Sequence, residues 1–282
     1  MKKYHVLFNT LSGNGDDSYK TLSQKLDGKI FYHNVLVTDY DQLIPSLDPD
    51  DVIVICGGDG SINKFINRTK HLSFDNEILY FATGTGNDFL KDLDKTKEDT
   101  PIRINEYLKD LPTCYVDGEE YKFINGVGYG IDGYCCEEGD RLRAKNVKNV
   151  NYTGIAIKGL LFHYKPTGVT ITVDGEKHYF AKNWISPVML GRYYGGGMMP
   201  CPEQRRDNNE KKVSVLAFHG SGKLKTLMIF PSIFKGEHVK HTKLVNVFTG
   251  HEITVEHDEP RPVQVDGETI LNVKTLTVKY GK

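Results

Sequence analysis

The first part of the chain alternates short apolar runs with segments in which apolar residues recur every three or four positions. The runs predict strands and the periodic segments predict helices, because side chains repeat every two residues along a strand and every 3.6 along a helix. The predicted strands are 4–9, 30–37, 52–56 and 78–82, and the predicted helices are 16–26, 39–47, 61–70 and 87–93. This alternation predicts an α/β domain with a parallel sheet covered on both faces.

Beyond about residue 113 the pattern changes to short alternating strands, which indicates antiparallel sheet. These strands are 114–116, 121–125, 168–174, 177–180, 183–190, 212–218, 244–248, 252–256, 263–265 and 269–280, and only 151–163 and 224–234 have helical spacing. Asp-Gly pairs at 117–118 and 174–175 predict hairpin turns. We therefore predict two domains, residues 1–112 and 113–282, the second an antiparallel β-sandwich.

The third predicted strand runs directly into a glycine-rich turn, Gly57-Gly58-Asp59-Gly60-Ser61, after which helical spacing begins. Glycines let the backbone approach a phosphate, and a helix N-terminus offers unpaired N–H groups and partial positive charge. The carboxylate of Asp59 would repel a phosphate unless a cation stood between them. An ordinary glycine turn that carries an Asp is the alternative.

Two other loops at predicted strand ends are also rich in glycine and hydroxyl groups. Residues 9–15 follow the first strand, and residues 83–89 follow the fourth. The carboxyl ends of parallel strands meet at one edge of a sheet, so the three loops are expected to lie together. This arrangement predicts a nucleotide or polyphosphate site, in which Asp59 would meet the phosphates through Mg²⁺.

A second acidic candidate lies in Asp266-Gly267-Glu268, between two predicted strands. Phosphoryl transfer needs a group that accepts the proton of the acceptor hydroxyl, and Glu268 is the candidate general base. Two alternatives stay open: Asp59 takes the proton while Glu268 helps to hold the cation, or Asp-Gly is a plain hairpin turn. The glycine run within Tyr193–Pro200 is either a loop or part of a wall for an apolar acceptor.

Composition limits the partners. With 36 basic and 37 acidic residues the net charge is −1, which provides no overall field for nucleic acid. No apolar run reaches the ~18 to 20 residues that cross a bilayer, and the start of the chain has no signal-peptide pattern. The five cysteines include no CxxC pair, which favours free thiols in a reducing compartment. We expect a cytoplasmic protein without a nucleic-acid partner.

Taken in order, these motifs resemble the catalytic domain of the diacylglycerol kinase family, particularly its soluble bacterial lipid kinases. The resemblance rests on residues 57–63 and 84–89, and it continues through 123–132, 152–161, 194–198, 236–238 and 265–268. Asp-Gly-Glu near the end, joined to the earlier motifs, is the specific part, because Gly-Gly-Asp-Gly is shared with NAD kinases and phosphofructokinases.

The resemblance implies a two-domain kinase that uses ATP and Mg²⁺ in a cleft between its domains. It further implies that the acceptor is a lipid hydroxyl, with diacylglycerol converted to phosphatidic acid as the leading expectation. The enzyme would then visit the inner face of the membrane as a peripheral protein, and a homodimer is left open as a further partner.

The resemblance also implies site residues. The ATP contacts would be Asn9, Ser12, Gly13, Thr38, Gly57, Gly58, Asp59, Gly60, Ser61, Ile62, Asn63 and Thr85. Glu268 matches the proton acceptor of the family. A structural magnesium in the β domain would fall at Asp207, with backbone carbonyls near Gln204 and Asn209.

Three positions depart from the family pattern. Thr10 and Ala82 stand where the family usually has proline, and Asn208 stands where it usually has glycine. These departures keep open the hypothesis of a catalytically silent nucleotide-binding regulatory protein. A kinase of a soluble acceptor such as NAD or a sugar phosphate is a separate alternative.

Overall fold

A computed structural model of the chain describes residues 1–10, 19–84, 87–145, 147 and 150–281. The chain divides into two compact units, Met1–Leu111 and Pro112–Lys282, one residue from the division expected from the sequence. Within the described residues, no helix is long and apolar enough to cross a membrane.

The N-terminal unit is built on a five-stranded sheet. Its elements are β1 (Lys3–Phe8), β2 (Lys29–Asn34), α1 (Tyr40–Leu43), β3 (Val52–Gly57), α2 (Asp59–Thr69), β4 (Glu77–Ala82), α3 (Asp88–Asp92), β5 (Ile102–Arg103) and α4 (Asn105–Leu108). The strand order is β2-β1-β3-β4-β5, and the first four strands are parallel while β5 is antiparallel to β4. The predicted parallel sheet is therefore confirmed, with an antiparallel edge strand that the sequence did not predict.

Strand β3 lies in the middle of this sheet, and every residue in it is buried. Its β-branched run suits a strand covered on both faces. Val52 and Val54 pack in one apolar cluster with Val6, Leu22 and Phe81. The predicted helix over 16–26 is a 3₁₀ turn at Tyr19–Gln24 in its described part.

In the C-terminal unit, the described residues form ten strands joined into one antiparallel sheet. Its elements are β6 (Thr113–Val116), β7 (Glu119–Lys122), β8 (Gly126–Tyr129), α5 (Ile131–Ala144), α6 (Tyr152–Lys158), β9 (Thr167–Val173), β10 (Glu176–Asn183), β11 (Val188–Met189), β12 (Val213–Phe218), α7 (Lys223–Ile229), β13 (Val245–Gly250), β14 (Glu252–Val265) and β15 (Glu268–Lys279). The order is β13-β12-β11-β8-β14-β15-β6-β7, and β9 joins β10 to β14. Helix α6 continues as a π-helical turn, Gly159–His163.

Strand β14 pairs with different neighbours along its length. Ile253 to His257 pair with β9, whereas Val263 to Val265 pair with β8. Its register with β15 shifts between Glu256 and Val263, which is where a strand bends and changes neighbours. The two segments 252–256 and 263–265, predicted as separate strands, are thus one bent strand.

Helix α5 was not predicted, because two glycines lower the helix propensity of its sequence. The structure shows why glycine is present. A Cβ atom on Gly133 would lie 2.0 Å from the Pro262 carbonyl oxygen, and one on Gly139 would lie 2.7 Å from the Tyr152 ring. The glycines therefore let α5 pack tightly against β14 and α6.

Candidate functional site

The glycine turn after β3 forms the start of helix α2. Gly57 ends the strand, Gly58 caps the helix in an extended conformation (φ −108°, ψ −168°), and the helix begins at Asp59. A Cβ atom on Gly57 would lie 2.0 Å from Oγ of Ser61, so this position has no room for a larger residue. The Ser61 amide donates to the Gly58 carbonyl oxygen at 2.9 Å. In general the first amides of a helix lack carbonyl partners in a preceding turn, which makes the start of this 11-residue helix suited to an anion.

The loop after β4 packs directly on this turn. The amides of Thr83 and Gly84 donate to the carbonyl oxygen of Gly57 at 2.9 and 3.3 Å. A Cβ atom on Gly84 would lie 2.8 Å from Cα of Gly58. The predicted meeting of these two loops at one sheet edge is therefore confirmed, and both loops need glycine because their backbones touch.

The Asp59 carboxylate links the two loops. Its Oδ2 accepts a hydrogen bond from the Asp88 amide at 2.7 Å, and its Oδ1 accepts one from the Phe89 amide at 3.4 Å. These amides begin helix α3, so Asp59 ties the start of α2 to the start of α3. This contact was not predicted, and its effect is to fix the position of the carboxylate at the sheet edge.

Tyr80 supports the same region from inside the domain. Its hydroxyl lies 3.2 Å from the Gly57 carbonyl oxygen and 3.0 Å from Oδ1 of Asn87, within hydrogen-bond distance of both. Burial raises the pKa of Tyr80 well above its ordinary value, and the negative charge of Asp59 raises it further. Tyr80 is therefore a neutral hydrogen-bonding group that connects the two loops.

Other predicted ATP contacts have varied surroundings. Ile62 and Asn63 are buried in α2, and Asn67 Nδ2 donates to the Asn63 carbonyl oxygen and Oδ1 at 3.1 and 3.3 Å. Thr38 is half-buried in the turn that follows β2, and its hydroxyl donates to the carbonyl oxygen of Asn34, the last residue of that strand, at 2.7 Å.

Part of the predicted site cannot be placed. Asn9 follows β1 directly, but Ser12, Gly13 and Thr85 lie outside the described residues. The ATP-binding roles of all these residues stay predictions.

Glu268 is the first residue of β15 and is exposed beside the hairpin turn. The turn is Asp266-Gly267, with positive φ at both residues, so the hairpin interpretation of the Asp-Gly pair is correct. The next residue, Thr269, donates through its hydroxyl to Oδ2 of Asp140 at 2.7 Å, which brings helix α5 beside Glu268. The role of Glu268 as proton acceptor stays a prediction.

Asp266 has a role that the sequence did not reveal. Its Oδ2 accepts from the Ile124 amide at 2.6 Å, and its Oδ1 accepts from the Asn125 and Gly126 amides at 2.9 and 3.0 Å. The turn that carries Glu268 is thereby anchored to the segment before β8. An Asp-Gly turn explains the glycine, but no local signal shows that the carboxylate has distant partners.

A buried pair joins α5 to the glycine loop after β11. The Tyr194 hydroxyl donates to Oδ2 of Asp132 at 3.1 Å, and among the described residues Oδ1 of Asp132 has no hydrogen-bond partner. Tyr194 and Met198 pack in the core of the domain, while Gly195 and Gly196 are exposed with positive φ. The two side chains thus hold the loop from within.

The predicted structural-metal loop is organised by Gln204. Its buried Nε2 donates to the Leu190 and Lys212 carbonyl oxygens at 3.0 Å each, and its Oε1 accepts from Ser214 at 2.6 Å. The Gln204 carbonyl oxygen, one of the predicted ligands, lies 3.3 Å from the guanidinium of Arg205.

The other two predicted ligands, Asp207 and Asn209, are exposed. In the part of the chain that the structure describes, no three His, Cys, Asp or Glu residues are grouped to hold a metal ion. A metal in this loop stays a prediction.

Two sequence profiles of known protein families match this chain, one in each of its two units. The sequence profile of the diacylglycerol kinase catalytic domain matches residues 3–112. The profile of the YegS C-terminal NAD kinase beta sandwich-like domain matches residues 125–278, more than half of the chain. The chain belongs to the diacylglycerol kinase family.

Individual relatives of this family are distant. A diacylglycerol kinase of Mycobacterium tuberculosis is 24% identical over 198 residues, which cover 67% of this chain and 62% of that protein. The match therefore spans less than two thirds of the mycobacterial kinase. A diacylglycerol kinase of Bacillus subtilis is 24% identical over 224 residues, 77% of this chain and 71% of that protein.

Solved structures agree in fold. The crystal structure of a diacylglycerol kinase from Bacillus anthracis strain Sterne covers 99% of this chain and 94% of its own, with a TM-score of 0.60 and 16% identity. A second structure from that organism covers 100% of this chain and 92% of its own, with a TM-score of 0.68 and 18% identity. At such identities the likeness concerns the fold alone.

Proposed function

We propose that this member of the diacylglycerol kinase family transfers the γ-phosphate of ATP to the hydroxyl of a lipid, with diacylglycerol as the leading acceptor and phosphatidic acid as the product. The observation that carries the proposal is the junction of the β3 and β4 loops through Asp59, at neighbouring strand ends of a parallel sheet. The mycobacterial and Bacillus subtilis relatives are both diacylglycerol kinases by name, which supports the choice of acceptor.

The donor phosphates would bind at the glycine turn that leads into helix α2. The turn at Gly57 to Gly60 presents the N-terminal amides of α2, and the partial positive charge of the helix favours phosphate there. Family members with this turn would be expected to tolerate no side chain at Gly57, because Ser61 occupies the adjacent volume.

The Asp59 carboxylate fits a magnesium ion carried by the nucleotide. Its two oxygens accept amide hydrogen bonds that fix the carboxylate at the sheet edge, and the residue is half-buried rather than enclosed. A carboxylate has about four lone-pair sites, so it can bind a cation as well as accept hydrogen bonds. Mg²⁺ commonly binds through one or two carboxylates, substrate phosphates and water. When bound, it would neutralise the phosphate charge during transfer.

The acceptor side would depend on Glu268. In the proposed step the lipid hydroxyl oxygen forms a bond to the γ-phosphorus, and the bond from that phosphorus to the bridging oxygen of ADP breaks. The electron pair of the broken bond leaves with ADP, and the hydroxyl proton passes to a carboxylate oxygen of Glu268. An exposed carboxylate on an anchored hairpin is suited to meet a bulky acceptor.

Radiolabelled ATP and Mg²⁺ offered with a panel of acceptors would test the proposal. The panel contains diacylglycerol, monoacylglycerol, a sphingoid base and a polyprenol in mixed micelles, with NAD and a sugar phosphate as soluble acceptors. We expect label in phosphatidic acid. We also expect Asp59→Asn and Glu268→Gln each to lower the rate by roughly 100-fold or more, since each would remove a group used in the transfer.

Two matched variants control for charge and stability. Glu77→Gln removes a half-buried carboxylate, paired with Lys2, from the N-terminal unit, and Glu252→Gln removes an exposed one from the first residue of β14; both should retain activity. Transfer to a soluble acceptor alone would overturn the lipid assignment. Nucleotide binding without transfer to any acceptor would identify a silent regulatory protein.

A further inference from the structure

Three large apolar side chains of the C-terminal unit are far more exposed than their chemistry favours. Phe162 has 71% of its surface exposed, Leu224 73% and Met228 75%. We refer to Phe162, Leu224 and Met228, together with Lys158, Lys223 and Lys225, as the apolar–basic face. The three lysines are also exposed.

The elements of the apolar–basic face are packed against each other. The Lys223 side chain donates to the Leu161 carbonyl oxygen at 2.9 Å, which fixes the start of α7 beside the π-helical turn. Beneath them, Leu160 and Ile229 belong to one buried core cluster. Phe162 and α7 are thus held in one region of the surface by contacts on their buried sides.

Helix geometry separates the two sides of α7. Leu224 and Met228 are four residues apart and share one face, while Thr226 is fully buried on the other. The apolar side chains on the outer face of α7 therefore do not contribute to the buried core. Neighbouring Ile157 and Phe234, 44% and 42% exposed, enlarge the apolar area, and grouped exposed apolar residues indicate a binding surface.

The two chain segments that carry these side chains have charge of one sign. The sequence contains no Asp or Glu between Asp140 and Asp174, nor between Glu210 and Glu237. These two stretches contain the lysines at 158, 165, 223, 225 and 235. Because the whole chain has a net charge of −1, this is a local concentration of positive charge.

Glu138 of α5, an acidic residue near the apolar–basic face, is already paired. It forms a salt bridge of 2.6 Å with Arg141, which lowers the pKa of the Glu138 carboxyl, and the nearby His163 lowers that pKa further. The charge of Glu138 therefore offsets the lysines little.

We propose that the apolar–basic face docks on an anionic bilayer surface. Phe162, Leu224 and Met228 would enter the boundary between headgroups and acyl chains, and the lysines would remain at the level of the phosphates. Apolar side chains surrounded by lysines match an anionic bilayer, because its acyl-chain layer is apolar and its headgroup layer is negatively charged. The inference rests on the proposed function, because it explains how a chain without a membrane-spanning helix among its described residues would meet a lipid acceptor.

The face is also coupled to the hairpin that carries Glu268. A Cβ atom on Gly159 would lie 2.7 Å from the Tyr134 ring, so the π-helical turn lies tightly on α5. Helix α5 in turn accepts the hydrogen bond from Thr269, next to Glu268, through Asp140. Docking would therefore hold Glu268 at a set position relative to the lipid surface.

Vesicle sedimentation without nucleotide would test the docking directly. The full chain is mixed with vesicles of phosphatidylglycerol and phosphatidylcholine in equal parts, or of phosphatidylcholine alone. We expect binding to the anionic vesicles that weakens with added salt. Replacing Phe162, Leu224 and Met228 together with serine should weaken this binding by about tenfold or more.

Two further variants complete the design. Replacing Lys158, Lys223 and Lys225 with glutamine should weaken binding to the anionic vesicles and flatten its salt dependence. Tyr179→Ser, which removes another exposed aromatic side chain from the same unit (61% exposed), should bind as the native protein does. Circular dichroism and thermal unfolding would establish that each variant is folded.

The outcomes separate this inference from the proposed function. Equal vesicle binding by the native protein and the serine variant, or none by either, would overturn it. A dimer in sedimentation equilibrium that the serine variant loses would instead assign the face to contact between copies. Phosphorylation of a water-soluble short-chain diacylglycerol reports on the kinase proposal separately, since it needs no docking.

Discussion

The hydroxyl of Tyr194 donates a hydrogen bond of 3.1 Å to Oδ2 of Asp132 in the interior of the C-terminal unit. Burial raises the pKa of the Asp132 carboxyl to about 6, although the Tyr194 hydroxyl lowers it in part by stabilising the charged form. Because the folded and unfolded states then bind protons differently, this pair links the stability of the unit to pH.

Asp132→Asn should change the pH dependence of unfolding. The folded protein keeps a proton that the unfolded chain releases above its ordinary pKa of 3.8. The stability from this site is fully present below about pH 4 and is lost as pH rises through about 6. The native protein therefore loses stability over this range and the variant does not. The difference in unfolding free energy, variant minus native protein, should rise by roughly 1 to 3 kcal/mol between about pH 4 and pH 7, measured by urea titration.

Tyr194→Phe is the companion variant. Without the hydroxyl the charged carboxylate loses its donor, so the pKa of Asp132 should rise further and the stability loss should move to higher pH. If native protein and Asp132→Asn show parallel pH dependence, Asp132 ionises in the folded state as it does in the unfolded state, and the prediction is wrong.

His257 should give a pH dependence of stability that is opposite in sign to that of Asp132. Its ring lies 4.2 Å from that of Tyr129, and its nitrogens lie 3.2 Å from the hydroxyl oxygens of Ser186 and Thr167. Burial lowers the pKa of His257 to about 3, and the charge of Arg261 lowers it further.

The folded state therefore stays neutral at this site while the unfolded state gains a proton below pH 6.5. The contribution of His257 to the free energy of unfolding is present above that pH and is lost as pH falls. His257→Gln should remove about 2 to 3 kcal/mol of acid sensitivity between about pH 7 and pH 4, in the same urea titration. His241→Gln, at an exposed position, is the matched histidine control, and an equal loss of acid sensitivity in both variants would contradict the assignment to His257.

Gly57→Ala should destabilise the N-terminal unit by about 1 to 3 kcal/mol, because the added methyl group meets the Ser61 side chain. Ser61→Gly alone should cost ~0.5 to 1 kcal/mol through helix propensity. In the double variant the added methyl group no longer meets a side chain, so its loss should be smaller than the sum of the single losses. Simple additivity in denaturant unfolding would contradict the steric explanation.

Asp266→Ala should cost roughly 2 to 4 kcal/mol, since three backbone amides lose their acceptor. Asp266→Asn should cost less, because one amide oxygen still accepts and Asn tolerates the positive φ of 46°. Asp117→Ala is the matched control: Asp117 begins an Asp-Gly turn with φ 50° and is exposed. Similar losses at both positions would mean that the turn conformation, not the amide contacts, determines the cost.

The sequence predicted those features whose cause is local. The Asp-Gly turns were predictable because two-residue hairpins require positive φ, and strand β3 was predictable from its β-branched run. Helix α5 was not, because Gly133 and Gly139 oppose helix formation locally and are explained by packing against Pro262 and Tyr152.

The candidate site divides in the same way. The junction of the β3 and β4 loops followed from the strand pattern, because adjacent parallel strands bring their loops to one edge. The partners of Asp59 at Asp88 and Phe89 lie 29 and 30 residues away, and those of Asp266 lie about 140 residues away. No spacing rule connects such residues, so these contacts became visible only in three dimensions.

The contact between Asp266 and the Ile124 amide, 142 residues apart, also constrains how the protein is made. The strands of the N-terminal unit pair within the first 103 residues, so they can assemble while later segments are still being translated. Strands β6, β8 and β9 must wait for their β14 and β15 neighbours to leave the ribosome. During that interval their unpaired edges are open to pairing with other chains, which makes the second half of synthesis a stage at which the chain is exposed to aggregation.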